Sequence, residues 1–457
     1  MFGSSRKNAK KTMPQCFNRR NSGWLAFVAI SAVLMGAWSS RPKIPSPEEQ
    51  AQKLAAVMES GGYAPAQNLA IDSLREVWTH DGVELEVAMV APTASGNYPL
   101  IIYLPSLGED ANAGRLWRET WARAGYAVFS LQPVAIGQAL KELGPERELE
   151  RGQPDSPGFF GGYDKQAADG DEAEQNEVKD GKRSRLARTS ELRYLGHEYF
   201  SADSLKNRLG QLYWAYRQLQ NRAGAGLPLY RTADFSKVIL AGYDLGAQTA
   251  TAVLGEDFKT NLPMDNELKP IAAIILSPSI DLAEGNVRSR FQNLKMPLLV
   301  VTGNDDNDPY AISSASVRAA VWEFAPAGGK YLLSLTGDVH QLLAGAEMGG
   351  RFGLRGEAGG RGSDKEGGGW FSPFANQYGA NGGQDRRGRG GNGDMPGRQK
   401  AGNERKNGEL GYKQVAALFS ATTAFLDTVV KNDEFAKFWI SDKANKWLDR
   451  AGSLHIR

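Results

Sequence analysis

One aspartate in a glycine-flanked turn is the residue of this sequence best placed for chemistry. Asp244 lies midway between Gly242 and Gly246, after the apolar run 238–241 and before a stretch of small residues. The two glycines permit a strained backbone and a close approach of a strand to the helix that follows it. Turns of this kind usually display a serine nucleophile above a sheet. We therefore predict that Asp244 is displayed there, either as a different nucleophile or in place of a lost one.

Two later turns supply further groups that could take part in chemistry. His340 and Asp306 each follow a short apolar run. Open α/β sheets place their sites at the carboxyl ends of strands, so both residues are candidates for the same site. Asp305 and Asp308 crowd the turn of Asp306, and either could serve as the acid in its place.

Short apolar runs alternate with helical patterns through most of the chain. Continuous apolar runs of this length are typical of strands buried in a parallel sheet, which needs helices on both faces. The fold class expected is therefore α/β with a mostly parallel sheet. Ser277 and Ser279 follow one such run and are interpreted as ordinary polar residues at a strand end. The predicted strands are 73–79, 83–90, 98–105, 126–131, 238–241, 271–276, 296–303 and 330–335, and the main helices are 117–124, 201–220 and 412–430.

The composition indicates one folded domain with two insertions. A linker and a short helix are expected at 41–71. Residues 144–187 and the Gly/Arg-rich residues 349–411 lack an apolar period, which predicts disordered insertions. The Arg-Gly tracts resemble nucleic-acid-binding segments, but scattered acidic residues and a net charge of +2 disfavour nucleic acid as a partner. The domain is expected to comprise three stretches: 72–143, 188–348 and 412–450.

The amino terminus is predicted to be a targeting segment. Basic residues precede the apolar run 24–38, and small residues follow it, as in a signal peptide. Residues 1–40 would act as a signal anchor if they are not cleaved, and the basic flank places the rest of the chain outside the cytoplasm. We expect a periplasmic or extracellular protein, with membrane association through this segment as an alternative to release. Cys16 is the single cysteine, so no intrachain disulfide can form.

Taken together, these features resemble the α/β-hydrolase superfamily, and most of all its dienelactone hydrolase-like and platelet-activating-factor acetylhydrolase-like branch. The resemblance covers roughly 72–345 and 412–450. In this superfamily the nucleophile, the acid and the histidine follow one another in that chain order, so the resemblance implies the α/β-hydrolase fold. Four motifs carry it: Tyr-Leu-Pro-Ser-Leu-Gly at 103–108, the turn at 242–246, Gly-Asn-Asp-Asp at 303–306 and Gly-Asp-Val-His at 337–340.

The resemblance also implies a role for each residue of the site. His340 would be the general base, and Asp306 would orient it and stabilise its positive charge. An oxyanion hole of backbone N–H groups would bind developing negative charge. The remaining candidates are Asp308 and Asp305 as alternative acids, and the N–H groups of Leu245 and of Leu107 or Ser106 as the oxyanion hole.

Asp244 departs from the serine of this superfamily, which leaves three functions open. A carboxylate has an ordinary pKa of about 3.9 and needs no base to become a nucleophile. Its attack on an ester carbonyl gives an anhydride and mostly reverses, whereas its attack on an alkyl carbon gives an ester that water can hydrolyse with His340 as base. The open functions are a hydrolase of an ester or small organic substrate, an Asp-nucleophile hydrolase of the epoxide or haloalkane type, and a degenerate hydrolase that binds a ligand or serves as a scaffold.

The surroundings of Asp244 bear on these alternatives. Leu245 stands where enzymes that hydrolyse epoxides and haloalkanes usually carry tryptophan, and no long cap follows Leu276, which disfavours the second function. A small-molecule substrate is the expected partner. The carboxylates of Asp244, Asp306 and Asp308 and the imidazole of His340 would suit a calcium or zinc ion, but no spacing demands one, so neither metal nor cofactor is predicted. The sequence does not fix the oligomeric state.

Overall fold

A computed structural model describes residues 46–141, 189–345 and 397–457 of the chain. The predicted targeting segment 1–40, the predicted insertion 144–187 and most of the predicted insertion 349–411 lie outside the described residues. Among the described residues, no helix combines the length and the apolar character needed to cross a membrane.

A nine-stranded sheet forms the centre of the fold. The strands are β1 Ile71–His80, β2 Val83–Pro92, β3 Tyr98–Leu104, β4 Ala127–Pro133, β5 Ala233–Tyr243, β6 Pro270–Leu276, β7 Leu298–Gly303, β8 Lys330–Leu335 and β9 Gly452–Ile456. Their order across the sheet is β1-β2-β4-β3-β5-β6-β7-β8-β9. The strands from β4 to β8 pair in parallel, and antiparallel pairs close both edges. The expected α/β class with a mostly parallel sheet is confirmed.

Helices connect the parallel strands and cover the sheet. The helices are α1 Pro47–Glu59, α2 Arg115–Arg123, α3 Val134–Gln138, α4 189–199, α5 Ala202–Gly224, α6 Leu245–Val253, α7 Val287–Arg290, α8 Ala315–Arg318, α9 Ala320–Phe324, α10 His340–Leu343, α11 Gly397–Val430, α12 Glu434–Phe438 and α13 Ala444–Leu448. Right after β5 comes α6, so the central strand leads directly into a helix.

Two apolar cores lie on opposite faces of the sheet, because successive side chains of a strand point to opposite faces. On β5, Ile239 belongs to the core that contains Trp121 of α2 and Phe425 of α11. Its neighbour Leu240 belongs to the core that contains Leu209 of α5. The sheet is therefore covered on both sides, and its carboxyl edge is left to carry polar side chains.

The structure differs from the sequence-based expectation at its carboxyl-terminal end. The run 330–335 was expected to be the last strand, but β9 pairs with β8 at the sheet edge. Its polar residues Ser453 and His455 alternate around Leu454, which gives too short an apolar pattern to predict a strand. Helix α11 begins at Gly397 rather than at Tyr412. Its first residues are rich in Glu, Lys, Arg and Gln, which favour helix without producing an apolar face.

The turn between β5 and α6 depends on Gly246. A Cβ atom at this position would overlap the carbonyl group of Leu104 on β3. We expect Gly246→Ala to lower the free energy of unfolding by about 3 kcal/mol, because backbone must move to make room. The matched control is Gly210→Ala on the exposed side of α5, where nothing lies within 4 Å of the added Cβ. It should stabilise the helix by up to about 1 kcal/mol. Equal effects of the two substitutions in urea denaturation would contradict this view of the turn.

Candidate functional site

Asp244 occupies the tight turn between β5 and α6 in a strained conformation. Its backbone has φ 49° and ψ −105°, outside the regions that residues with a side chain prefer. Such strain typically costs about 1–3 kcal/mol and persists only where surrounding structure enforces it. The enforcing contacts are a hydrogen bond from the Asp244 N–H to the carbonyl of Leu276 (3.1 Å) and one from the Gln248 N–H to the carbonyl of Asp244 (3.2 Å). This turn conformation places the Asp244 side chain at the carboxyl edge of the sheet.

The carboxylate of Asp244 is completely buried and is held by two serine hydroxyls. Ser106, after β3, donates to Oδ2 at 2.7 Å. Ser279, after β6, donates to Oδ1 at 2.5 Å. Each oxygen therefore accepts one hydroxyl hydrogen bond, and the carboxylate keeps further lone pairs for other contacts. His340 makes no hydrogen bond to Asp244.

His340 is buried beside Asp306, and the two form a directed pair. Nδ1 of His340 lies 2.9 Å from Oδ1 of Asp306. Because Asp306 is ionised and cannot donate, Nδ1–H must be the donor, which leaves the lone pair on Nε2. The backbone of His340 is held by the hydroxyl of Tyr243, which donates to the His340 carbonyl at 2.7 Å. No described residue hydrogen-bonds to Nε2, so this atom is free to accept a proton.

The charge of Asp306 is stabilised by Arg318 and by hydroxyls. Burial alone would raise the pKa of Asp306, but the positive charge of Arg318 and the hydrogen bonds of His340 and Ser277 lower it to about 2. Thr302 donates to Oδ2 at 2.9 Å. Asp306 in turn affects His340. Burial alone would lower the pKa of His340, but the hydrogen bond and the charge of Asp306 raise the pKa of His340 above its ordinary value. The pair has the charge distribution of a general base with its orienting carboxylate.

The loop after β6 contacts both Asp244 and the pair of His340 and Asp306. Ser277 has a positive φ of 46° and donates to Oδ1 of Asp306 at 2.8 Å. Two residues later, Ser279 contacts Asp244. Arg318 donates to the carbonyls of Ser277 (2.8 Å) and Pro278 (3.0 Å), which fixes the loop from behind. Ser277 and Ser279, interpreted from the sequence as ordinary polar residues, are thus part of the site's hydrogen-bond network.

Glu109, in the loop after β3, is a second carboxyl group at the site. Its Oε2 accepts a hydrogen bond from the N–H of Ser106 at 3.0 Å. Burial and, to a smaller extent, the negative charge of Asp244 raise the pKa of Glu109 to about 8, against the opposing effect of the Ser106 N–H. Ser106 therefore contacts both carboxyl groups, Glu109 through its backbone and Asp244 through its side chain.

The backbone N–H groups expected to form an oxyanion hole are not equivalent. The N–H of Ser106 is engaged by Glu109. Those of Leu107 and Leu245 have no hydrogen-bond partner among the described residues. Leu245 is also the first residue of α6, where the helix dipole favours negative charge. Leu107 and Leu245 are therefore the pair available to bind an oxyanion.

An apolar cluster adjoins Asp244. Leu245, which follows Asp244, and Leu107, which follows Ser106, belong to it, and the rings of Phe200 and Tyr310 lie 5.7 Å apart within it. The members come from the loops after β3 and β7, from α3 and α4 with the residues that follow them, and from the start of α6. Its buried residues are Leu107, Ile136, Ala139, Leu192, Phe200, Leu245 and Tyr310.

Arg208 of α5 places a buried cation behind the turn. Its guanidinium donates to Gln248 (2.6 Å) and Thr249 (2.9 Å) of α6 and to the carbonyl of Tyr199 (2.5 Å). None of these acceptors is charged. Burial lowers the pKa of Arg208 to about 9, and the carboxylate of Asp244 opposes this effect. Arg208 therefore fixes the start of α6 and attracts the negative charge displayed there.

The two alternative acids take other positions. Asp308 accepts backbone N–H groups of Tyr310 (2.7 Å) and Ser313 (2.7 Å), so it organises the loop after β7. Asp305 is exposed. Of the three aspartates in this turn, Asp306 is the one that contacts His340.

Among the described residues, no group of three or more His, Cys, Asp or Glu side chains could hold a metal ion.

Sequence reasoning missed several members of the site. Arg318 and Arg208 come from helices without a motif, and only their burial reveals their roles. Glu109 stands within three residues of Ser106, but no residue type or spacing distinguishes it from an exposed loop glutamate. The position of Ser277 and Ser279 after a parallel strand was a usable signal for both.

A comparison of the sequence with protein-family models and with curated proteins finds no match.

Proposed function

We propose that this protein is a hydrolase of the α/β-hydrolase superfamily in which the Asp244 carboxylate attacks an alkyl carbon of a small organic substrate. The observation that carries the proposal is that Asp244 and His340 have separate hydrogen-bond partners. Asp244 is held by Ser106 and Ser279 and not by His340. His340 is oriented by Asp306 with Nε2 unpartnered among the described residues. A carboxylate needs no base for its own attack, so His340 is left to activate water. These contacts outweigh the two sequence features that disfavour attack on an alkyl carbon, which are the leucine after Asp244 and the lack of a long cap.

In the first step, an oxygen of Asp244 forms a bond to the alkyl carbon while the bond from that carbon to the leaving group breaks. The product is an alkyl ester of Asp244, and the leaving group departs with the electron pair. The apolar cluster supplies the walls against which a hydrocarbon substrate can be held. Binding there also removes water from the reacting carbon, which favours an ionic displacement.

In the second step, Nε2 of His340 takes a proton from water, and the resulting hydroxide adds to the Cγ atom of Asp244. The negative oxygen of the tetrahedral intermediate lies near the N–H groups of Leu107 and Leu245, which stabilise it. The intermediate expels the alkoxide of the product, and this alkoxide takes the proton from His340. The substrate leaves as an alcohol, and Asp244 is regenerated after it loses its proton.

The alternative of a serine-type esterase mechanism has less support. The anhydride formed by Asp244 on an ester carbonyl would expel the carboxylate more readily than the alkoxide, so the reaction would mostly reverse. The alternative of a binding or scaffold protein explains the strained turn less well, because a ligand-binding carboxylate does not require an oriented histidine or a conformation that costs stability. Export and membrane association stay predictions from residues 1–40.

Replacement of His340 should trap the covalent intermediate. We expect His340→Ala to form the alkyl ester of Asp244 but to hydrolyse it at least about 100-fold more slowly, because no base activates water. Intact-protein mass spectrometry after incubation with styrene oxide or phenethyl bromide, followed by peptide mapping, would detect the adduct and place it on Asp244.

The matched control is His455→Ala, an exposed histidine on the edge strand β9. It should turn over like the wild type without accumulating an adduct. If wild-type protein hydrolyses either probe while folded His340→Ala carries no adduct on Asp244, the proposed mechanism is wrong. If no variant reacts with either probe, the binding-protein alternative is favoured.

A further inference from the structure

We propose that Glu109 is the general acid of this site, and that the substrates are therefore epoxides, whose leaving oxygen must receive a proton. This inference rests on the proposed attack of Asp244 on an alkyl carbon and adds the class of leaving group. Glu109 lies outside the four sequence motifs and takes no part in the two steps of ester formation and ester hydrolysis.

The loop after β3 holds the Glu109 carboxyl group at the site. Gln132 of β4 donates to the carbonyls of Ser106 (2.7 Å) and Glu109 (3.0 Å), which fixes both ends of the turn. Gly108 has a positive φ of 79°, and a Cβ atom there would overlap Leu140, so the turn requires glycine. With the backbone fixed, Oε2 accepts from the Ser106 N–H, and Ser106 is the residue whose hydroxyl holds Asp244.

The second oxygen of Glu109 is available to a substrate. Oε1 makes no hydrogen bond to any described residue, and the side chain is only partly buried. Ser106 binds Glu109 through its N–H and Asp244 through its hydroxyl, which places the two carboxyl groups in one site. The raised pKa of Glu109, about 8, favours the protonated form at neutral pH, in which the group can donate a hydrogen bond.

The other acidic groups near Asp244 are less suited to this role. Asp308 is engaged by backbone N–H groups. The hydroxyls of Tyr243 and Tyr310 donate to the carbonyls of His340 and Leu107, and burial raises the pKa of both far above the ordinary value. A buried phenol with such a pKa is a poor donor of its proton at neutral pH. Glu109 is therefore the acid that is both protonated and free on one oxygen.

A protonated acid at this position distinguishes between leaving groups. When Asp244 opens an epoxide, one ring carbon–oxygen bond breaks and the oxygen leaves as an alkoxide, a strong base. Glu109 transfers its proton to that oxygen, the product of the step is a hydroxyalkyl ester, and Glu109 becomes a carboxylate. After hydrolysis, Asp244 is released as the acid and loses its proton, and Glu109 regains one. A halide departs as a stable anion and needs no proton, so a haloalkane gains nothing from Glu109.

The test compares two probes with the same hydrocarbon skeleton, styrene oxide and phenethyl bromide, in the His340→Ala background that traps the ester. We expect Glu109→Gln to slow formation of the adduct from styrene oxide by at least about 100-fold, while formation from phenethyl bromide stays within about threefold. The matched control is Glu119→Gln on α2, a partly exposed glutamate paired with Arg115. It should leave both rates unchanged.

The pH dependence gives a readout that a purely structural role would not produce. Formation of the adduct from styrene oxide should fall as the pH rises through the pKa of Glu109, because Glu109 loses its proton; this pKa is about 8 with His340 present and moves upward in the trapping background, where the lowering effect of His340 is gone. Glu109→Gln should abolish this dependence, and phenethyl bromide should not show it. The titratable groups that face Glu109 are Asp244, His340, Asp110, Tyr103, Tyr243 and Tyr310. The tyrosines titrate far above this range, and His340 is absent from the trapping background.

The outcomes separate this inference from the proposed function. An adduct on Asp244 that forms from phenethyl bromide but not from styrene oxide overturns the epoxide assignment and leaves the Asp244 mechanism intact. The same holds if Glu109→Gln does not slow the reaction with styrene oxide. Absence of any adduct on Asp244 from both probes overturns both proposals.

Discussion

Asp244→Asn should lower turnover of an alkyl substrate by at least about ten-thousandfold, because the amide has the shape of the carboxylate but no negative charge with which to attack carbon. The substitution is isosteric, and its carbonyl oxygen can still accept a hydrogen bond from Ser106 or Ser279. The structure of the turn should therefore survive, and the loss can be assigned to chemistry. Steady-state kinetics on styrene oxide, with circular dichroism to check the fold, would measure it.

The control for this prediction is Asp308, a second buried acid whose carboxylate accepts hydrogen bonds from backbone N–H groups. Asp308→Asn removes a carboxylate whose hydrogen bonds go to the loop after β7 and which interacts with Asp244 through its charge alone. It should lower stability more than turnover. Turnover by Asp244→Asn within about tenfold of the wild type would show that the carboxylate is not the nucleophile, since loss of a covalent nucleophile costs far more.

Asp306→Asn should impair both catalysis and stability. The amide cannot stabilise a protonated His340, and loss of such a carboxylate lowers turnover by about ten-thousandfold in comparable dyads. The substitution also leaves the buried Arg318 without the carboxylate that lies 3.5 Å from its Nε. Breaking one partner of a buried ion pair costs about 3–5 kcal/mol. Urea denaturation and steady-state kinetics on the same preparation would measure the two effects.

The pH dependence of this stability loss has a definite sign. Folding lowers the pKa of Asp306 from its ordinary value of 3.8 to about 2. The ionised form is therefore favoured in the folded protein, and its contribution is fully present above pH 4 and is lost as the pH falls towards 2. The difference in unfolding free energy between wild type and Asp306→Asn should shrink over that interval. The matched control is Asp305→Asn, an exposed neighbour in the same turn, which should change neither property.

The sequence predicted which strands end in polar residues of the site. It predicted less well which of these polar side chains contact one another. Gly242, Asp244 and Gly246 predicted the tight turn because a strand that leads directly into a small-residue helix leaves few alternatives. The sequence favoured Asp306 as the acid and kept Asp308 and Asp305 as alternatives, because the final choice depends on where the loop after β7 turns. The structure brings Asp306 to His340 and points Asp308 into its own loop.

The groups that set charge at the site were beyond sequence reasoning for a physical reason. Arg318 lies on the four-residue helix α8 and reaches Asp306, Ser277 and Pro278 only through the tertiary fold. The pKa of Glu109 is raised because burial and the charge of Asp244 act on it together. Neither effect leaves a pattern in the local sequence, since the same residues on an open surface would be solvated and unremarkable.

A single turnover in heavy-oxygen water tests the covalent attack of Asp244 most directly. With protein in excess over styrene oxide, hydroxide from the labelled water adds to Cγ of Asp244, and the product takes its new oxygen from the carboxylate. We predict that peptide mapping finds heavy oxygen in the Asp244 side chain and that the first diol formed carries none. Label in the diol, with none in Asp244, would show that water attacks the substrate directly and would contradict the mechanism.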